Sequence, residues 1–260
     1  VLFISKECGS GGFGATVDVS YPSIPMFLLY NPSLIRGMLR PILRYVRSGE
    51  WKYDFAPHDV GYYPHIRVQT YCDNLLEAQM PVEECGNMLI MFAAEAVASG
   101  DVRFCQENLD LLEQWVLYLE KYGRDPGQQL CTDDFTGHLA HNCNLALKAI
   151  MGIASLGIIY NKIGLTEKGK EKYALAHEMA LDWEQRAAND DGSYRLAFDC
   201  PGTFSMKYNI VWDKVFGTCL MPNRMLQSEV ASYRRREQTY GLPLDNRADY
   251  TKSLGGQLSR

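Results

Sequence analysis

Met88-Leu89-Ile90-Met91-Phe92-Ala93-Ala94-Glu95-Ala96-Val97-Ala98-Ser99, then Gly100-Asp101, then Val102-Arg103-Phe104-Cys105, is the stretch on which the fold turns. It reads as one helix, a two-residue turn, and a second helix folded back on the first. The same layout extends outward in both directions. Helix-like segments come in pairs, with short connections within a pair at Asn31, at 100–101, at 163–166 and at 220–222. Between pairs the connections are long: 49–80, 123–136, 189–208 and 240–253. In stacked helical hairpins, this alternation puts every long connection at the same end of the bundle. Those loops also hold most of the acids, aromatics and histidines. Loops held by a rigid scaffold carry function disproportionately, so the layout points to an enzyme more than to a structural bundle.

The chain has 260 residues, 47% hydrophobic and 12% aromatic, enough for one packed core and too apolar for disorder. A net charge of −5 and a pI near 5.6 supply no basic field for nucleic acid or an anionic membrane. The basic run Arg234-Arg235-Arg236 reads as a solvated helix face with Glu229 and Glu237 nearby. The longest apolar stretch, 149–160, is short of a membrane span and reads as a buried core helix. Eight cysteines without a CxxC pair argue against zinc-ribbon and thioredoxin chemistry. Buried free thiols are expected, with one or two disulfides open if the protein is secreted. The opening Val1-Leu2-Phe3-Ile4 reads as the middle of a strand, so the chain is expected to be a fragment of something longer.

Residues 9–14, Gly-Ser-Gly-Gly-Phe-Gly, match a dinucleotide loop only superficially, because no βαβ unit follows; a turn leading into Tyr21-Pro22-Ser23 accounts for them better. A short helix is expected over 22–29. Asn31-Pro32 then reads as an N-cap and a first helical proline, before an apolar stripe from Leu34 to Val46 that Pro41 interrupts. The second pair starts near Pro81, with helices over 88–98 and 102–122. The third pair spans 138–163 and 166–188, and the fourth 208–219 and 222–240. The first members of pairs two and three are the more apolar, which suggests an inner ring of buried helices inside an outer one.

Four polar runs could carry chemistry. The first, Ala56-Pro57-His58-Asp59-Val60-Gly61, is a fixed loop in which His58 or Asp59 holds a substrate, or Asp59 caps a turn. In the second, Met80-Pro81-Val82-Glu83-Glu84, two acids open a helix. They complement its dipole, which would keep a carboxylate ionised and suited to act as base or nucleophile. Glu83 and Glu84 diverge by about 100° around the helix, so at most one is expected at a shared site. The third, Thr132-Asp133-Asp134-Phe135-Thr136-Gly137-His138-Leu139-Ala140-His141-Asn142, is the richest. His138 and His141, three apart, would share one face of a first helical turn. These acids and histidines lack HExxH spacing and nearby thiolates, so no metal and no other cofactor is expected. Either the acids cap the helix or a carboxylate here works opposite one from an earlier loop, as glycosidic-bond hydrolysis requires. In the fourth, Leu244-Asp245-Asn246-Arg247, the acid and arginine form a surface ion pair or contact substrate. No GxSxG or SxxK supports a serine nucleophile.

At these runs the sequence resembles the glutaminase A family of fungi and bacteria. The resemblance is carried by Ser5-Lys6-Glu7-Cys8, Val17-Asp18-Val19-Ser20-Tyr21-Pro22-Ser23, Phe27-Leu28-Leu29-Tyr30-Asn31-Pro32 and Met38-Leu39-Arg40-Pro41-Ile42. It continues through Phe55-Ala56-Pro57-His58-Asp59, Met80-Pro81-Val82-Glu83-Glu84, Leu130-Cys131-Thr132-Asp133-Asp134-Phe135, Gly137-His138-Leu139-Ala140-His141-Asn142 and Gly241-Leu242-Pro243-Leu244-Asp245. It implies an all-α fold, an (α/α) toroid of six hairpins like that of many glycoside hydrolases, usually behind a β-rich N-terminal domain. It further implies a secreted or extracytoplasmic protein that hydrolyses glutamine to glutamate and ammonia. The chain departs from the pattern at 65–78, which lack a Gly/Asn-rich turn, and after Ser253, where Leu254-Gly255-Gly256-Gln257 follow.

The expectation is therefore an incomplete toroid over residues 1–253, with short β and loop segments at the N-terminus and in the long loops, and an off-pattern tail over 254–260. Four of six hairpins are legible, which would leave inner-helix surface uncovered where the remaining hairpins and the N-terminal domain belong. The expected catalytic residues are Glu84, Asp134 and Asp59. Substrate contacts are expected from His58, Glu83, Asp133, His138, His141, Asp245 and Arg247. The expected reaction is carboxylate-assisted attack of water on the glutamine side-chain amide. A glycoside hydrolase using the same carboxylates, or an inactive helical remnant that binds a partner through its open edge, is the alternative. The partner is a small-molecule or carbohydrate substrate, not nucleic acid or a membrane.

Overall fold

The computed structural model describes residues 1–7, 11–69 and 75–249, and among these no strand forms. The expected β segments are single bridges, such as Lys6 with Gly14 and Phe13 with Tyr62. Parts of the glycine-rich turn at 9–14 and of the 65–78 departure fall outside the described residues, as does the expected tail.

The first hairpin joins α1 (Val17–Tyr30) to α2 (Ser33–Arg47). α1 is longer than the helix expected from Pro22 onward, although Pro22 and Pro25 lie inside it. Proline withholds the N–H that would bond the carbonyl four residues back. Here the carbonyl freed by Pro22 is that of Asp18, which accepts the Thr132 hydroxyl at 3.1 Å. In α2, Pro41 frees the carbonyl of Gly37, which accepts the Phe3 N–H at 3.1 Å. A Cβ on Gly37 would stand 3.0 Å from that same nitrogen, so glycine is what lets the N-terminal segment dock there. Pro22 and Pro41 thus each turn an intrahelical bond into a tertiary one. The expected Asn31 cap is not made; its Oδ1 accepts the Ser33 hydroxyl at 2.7 Å.

The second hairpin is α3 (Pro81–Ser99), then α4 (Arg103–Glu107) and α5 (Leu109–Tyr122). The sequence suggests one helix where α4 and α5 lie. It breaks at Asn108, whose side-chain amide takes the Phe104 carbonyl at 2.9 Å while its own N–H turns to the carbonyls of Cys105 and Gln106. The third hairpin is α6 (Cys143–Lys162) and α7 (Thr166–Ala187). The fourth begins with a 3₁₀ turn at Tyr208–Ile210 and holds α8 (Val211–Phe216) and α9 (Asn223–Arg236). α8 stops before Cys219 because Gly217 turns left-handed at φ +65°, and α9 ends before Tyr240.

α3 and α6 form the centre and are buried along nearly their whole lengths. Gly86 and Gly152 allow this, since a Cβ on Gly86 would collide with Lys148 of α6, and one on Gly152 would collide with Leu119 of α5 and crowd Gly86. Burying each Leu or Ile of α6 is worth about 1.5–3 kcal/mol. α1 packs on α3, and residues 208–210 pack on α6. The first and fourth hairpins also touch: Trp212 Nε1 donates to the Tyr21 hydroxyl at 2.6 Å, and that hydroxyl donates to Asn209 Oδ1 at 3.2 Å. The inner segments of all four hairpins therefore surround a common axis. α6 is long and apolar enough to cross a membrane by length and composition, but here it is the innermost helix, 94% buried over its most apolar window.

Candidate active site

The long connections meet at the end where α1, α3 and α6 begin. The Val17 N–H donates to the His58 carbonyl at 2.8 Å, joining the first long loop to the start of α1. Arg247 pairs with Asp245 at 2.6 Å and reaches the Thr136 carbonyl at 3.2 Å, joining the fourth loop to the third. The Tyr208 hydroxyl donates to Asp133 Oδ2 at 2.7 Å, and the Met206 N–H donates to the Leu244 carbonyl at 2.8 Å.

A cavity of about 450 Å3 opens among these loops, a size suited to a small substrate. Its polar wall comprises Glu7, His58, Glu77, Asp134 and His138; Phe13, Met80 and Leu130 supply much of the apolar remainder. Asp134 is exposed at the start of the 3₁₀ turn Asp134–Thr136, and His138 Nε2 lies 3.2 Å from the Glu77 carbonyl.

Behind His58 the site is buried. His58 Nδ1 lies 2.7 Å from Asp59 Oδ2, and the other Asp59 oxygen accepts the Gly61 N–H at 2.6 Å. The opposite ring nitrogen, Nε2, lies 3.2 Å from Asp18 Oδ1. Glu84 completes the group, and donor atoms of Asp18, His58 and Glu84 all lie within 4.8 Å of one another. Burial alone would lower the His58 pKa. The negative charge of Asp18, together with the hydrogen bond to Asp59, outweighs it and holds the imidazole well above its ordinary 6.5, which favours the protonated form. Burial, reinforced by Asp18, drives the Glu84 carboxyl the other way from expectation, well above 4.5. At this helix start the dipole favours the ionised form, but burial opposes it and prevails, because the side chain is fully buried rather than at an exposed first turn.

Glu83 and Glu84 diverge as their helical spacing requires. Glu83 turns to the molecular axis, where Lys148 Nζ binds its Oε1 at 2.9 Å. Lys148 also donates to Asn87 Oδ1 at 2.5 Å and stands 3.5 Å from the Tyr21 ring centroid. Asn87 in turn donates to both Glu83 and Glu84, at 3.1 and 3.0 Å. A polar chain thus runs from the axis to the cavity wall.

Of the candidate residues, His58, Asp134 and His138 face the cavity; Asp59 and Glu84 stand behind His58. Glu83 and Asp133 are buried against Lys148 and Tyr208, while Asp245 and Arg247 tie loops together. His138 and His141 do not share a helix face. Positive φ at Gly137 and His141, and the bridge of Leu139 to Gln129, hold 137–142 out of the helix until Asn142 caps it. Asn142 Oδ1 accepts the N–H groups of Asn144 and Leu145 at 3.0 and 3.1 Å. His141 turns outward to Asp125, 2.8 Å away.

Asp18, Lys148 and Tyr21 escape the sequence reading. Lys148 has a visible signal, one charge in an otherwise apolar helix. Asp18 has none beyond its place beside Tyr21-Pro22.

Comparison with known proteins agrees with this architecture. The model of the Glutaminase A six helical-hairpin domain matches residues 1–254. Glutaminase A of Aspergillus oryzae is 33% identical over 252 residues, 95% of this chain and 36% of that protein. A protein of Arthroderma benhamiae described as a probable glutaminase is 28% identical over 97% of this chain and 39% of its own length. The chain therefore spans little more than a third of these relatives. With its helical hairpins and the match along nearly its full length, the chain belongs to the glutaminase A six helical-hairpin family.

Proposed function

We propose that this chain carries the hydrolytic centre of a glutaminase-like enzyme that cleaves the side-chain amide of glutamine to glutamate and ammonia. One observation supports the reading above the others: a protonated His58, braced by buried carboxyl groups, shares a cavity wall with the exposed carboxylate Asp134. The names of the two relatives point to the same substrate.

In this reading Asp134 takes a proton from water as its oxygen attacks the amide carbon. Asp134 then returns that proton to the departing nitrogen, which leaves as ammonia, while the positive charge of the His58 imidazolium, whose two nitrogens face Asp18 and Asp59, stabilises the developing oxyanion at the cavity wall. Asp59 holds the ring orientation through Nδ1, and Asp18, with Glu84 beside it, sustains the proton on Nε2 from behind. Asp59 and Glu84 are then positioning residues, whereas the sequence alone suggests direct catalysis by them. His138, Glu77 and Glu7 supply polar contacts for the amino-acid end of the substrate. Phe13, its ring centroid 5.5 Å from that of His58 in an edge-to-face arrangement, helps keep that ring in place.

The test assays the protein in its natural full length for ammonia from glutamine and, in parallel, for aglycone release from aryl glycosides. Ammonia without aglycone release is the expected result. Aglycone release without ammonia transfers the site to glycosidic bonds.

A further inference from the structure

We propose that Asp18, His58 and Glu84 form a binding site for a divalent metal ion at the inner wall of the cavity. The three donors come from three separate elements, α1, the first long loop and α3, and lie within 4.8 Å of one another. Fold packing alone leaves two of them unsatisfied: Asp18 Oδ1 and Glu84 Oε1 are buried oxygens that accept no hydrogen bond. Asp18 Oδ1 has His58 at ion-pair distance but not in hydrogen-bond alignment, and Glu84 has only its other oxygen engaged, by Asn87. Buried polar atoms without partners are uncommon and costly, and two beside one imidazole nitrogen call for an electrophile between them.

His58 is arranged as metal-binding histidines are. Its far nitrogen Nδ1 is held by the Asp59 carboxylate, and Asp59 is itself fixed by the Gly61 N–H. This leaves Nε2 turned toward the two acids, the carboxylate–histidine arrangement that fixes ligand orientation and raises basicity. Two carboxylates and one imidazole carry the charge to neutralise a dication. With no thiolate in the set, they suit zinc or manganese rather than a soft ion. Three protein ligands leave further coordination positions, and His58 borders the cavity, so those positions face the substrate space. This site is distinct from the Asp133–His141 run, whose two histidines point to different surroundings. Binding displaces the proton on Nε2, so the ion and the imidazolium of the reading above are alternatives at one position, and the inference concerns binding alone.

The test measures metal content and affinity on the chain after chelator dialysis, adding zinc and manganese singly and following bound metal by equilibrium dialysis. One equivalent per chain is expected. Asp18→Asn and Glu84→Gln should each weaken binding by at least tenfold, and Asp59→Asn by about tenfold to a hundredfold. His141→Gln, which removes an exposed histidine elsewhere, should change nothing. X-ray absorption on the unaltered protein provides a readout independent of variant folding and should show one imidazole with oxygen ligands. Failure of the unaltered chain to bind a stoichiometric ion, binding unchanged in both carboxyl variants, or a ligand shell without imidazole would each overturn the proposal.

Discussion

Lys148 Nζ lies 2.9 Å from Glu83 Oε1, and both side chains are sealed from solvent on the molecular axis. Burial alone would lower the Lys148 pKa, but Glu83 and Tyr21 outweigh it and hold it above 10.5, so the lysine keeps its charge at physiological pH. Removing one partner of such a pair strands the other. Lys148→Met should therefore cost about 3–5 kcal/mol, with a milder loss when Glu83 is made apolar in the same chain. Chemical denaturation measures both. A loss for Lys148→Met under about 1 kcal/mol would mean that Glu83 finds another counter-charge.

Arg36 and Glu95 pose a parallel case between α2 and α3. Arg36 Nε binds Glu95 Oε1 at 2.6 Å and also pairs with Asp101 at 3.0 Å. Glu95 is buried and Arg36 is 18% exposed, so solvent relieves the arginine side only. Arg36→Met should destabilise by about 3 kcal/mol, mostly through the carboxylate left behind. Glu95→Gln should cost less, because the amide needs less charge compensation. The reverse ranking in denaturation curves would contradict this account.

Much of the fold is legible in sequence because helix formation is local. The glycine turn after Ser99 and the unbroken apolar run of α6 announce two hairpins without tertiary information. The helix start at Cys143 is less legible, because what delays it is a bridge to Gln129 and a left-handed His141, both set by neighbouring loops. The site divides in the same way. His58 and Asp134 stand in polar loops whose composition marks them. Asp18 and Lys148 sit in helices, and their roles depend on residues 40 and 65 positions away, which no local pattern reveals.

His141 should titrate above 6.5, since Asp125 accepts its hydrogen bond and adds a negative charge, effects larger than its slight desolvation. Asp125→Asn should bring the titration back toward the ordinary value. Proton NMR of the imidazole follows this directly. An unchanged midpoint in Asp125→Asn would place the cause elsewhere.

Cysteine reactivity should follow burial. Cys85, Cys105, Cys131 and Cys143 are buried free thiols, with burial pushing Cys105 and Cys143 to about 12. Cys200 and Cys219 are exposed. Among these six, brief alkylation of the native protein at neutral pH should modify only Cys200 and Cys219, with the other four reacting after unfolding. Peptide mass spectrometry reads the pattern. Rapid native labelling of Cys143 would show that the start of α6 opens readily.

The central claim is that His58 and Asp134 act on one bound substrate, and steady-state ammonia release from glutamine tests it most directly. The comparison is between the full-length protein, its Asp134→Asn variant and its His58→Gln variant, with melting temperatures measured alongside. Asp134 is exposed and lies at the cavity wall, so the account predicts that Asp134→Asn lowers kcat by at least about a hundredfold with little change in melting temperature. His58→Gln should lower kcat to a similar degree. Ammonia release at the unaltered rate in a folded Asp134→Asn protein would contradict the account.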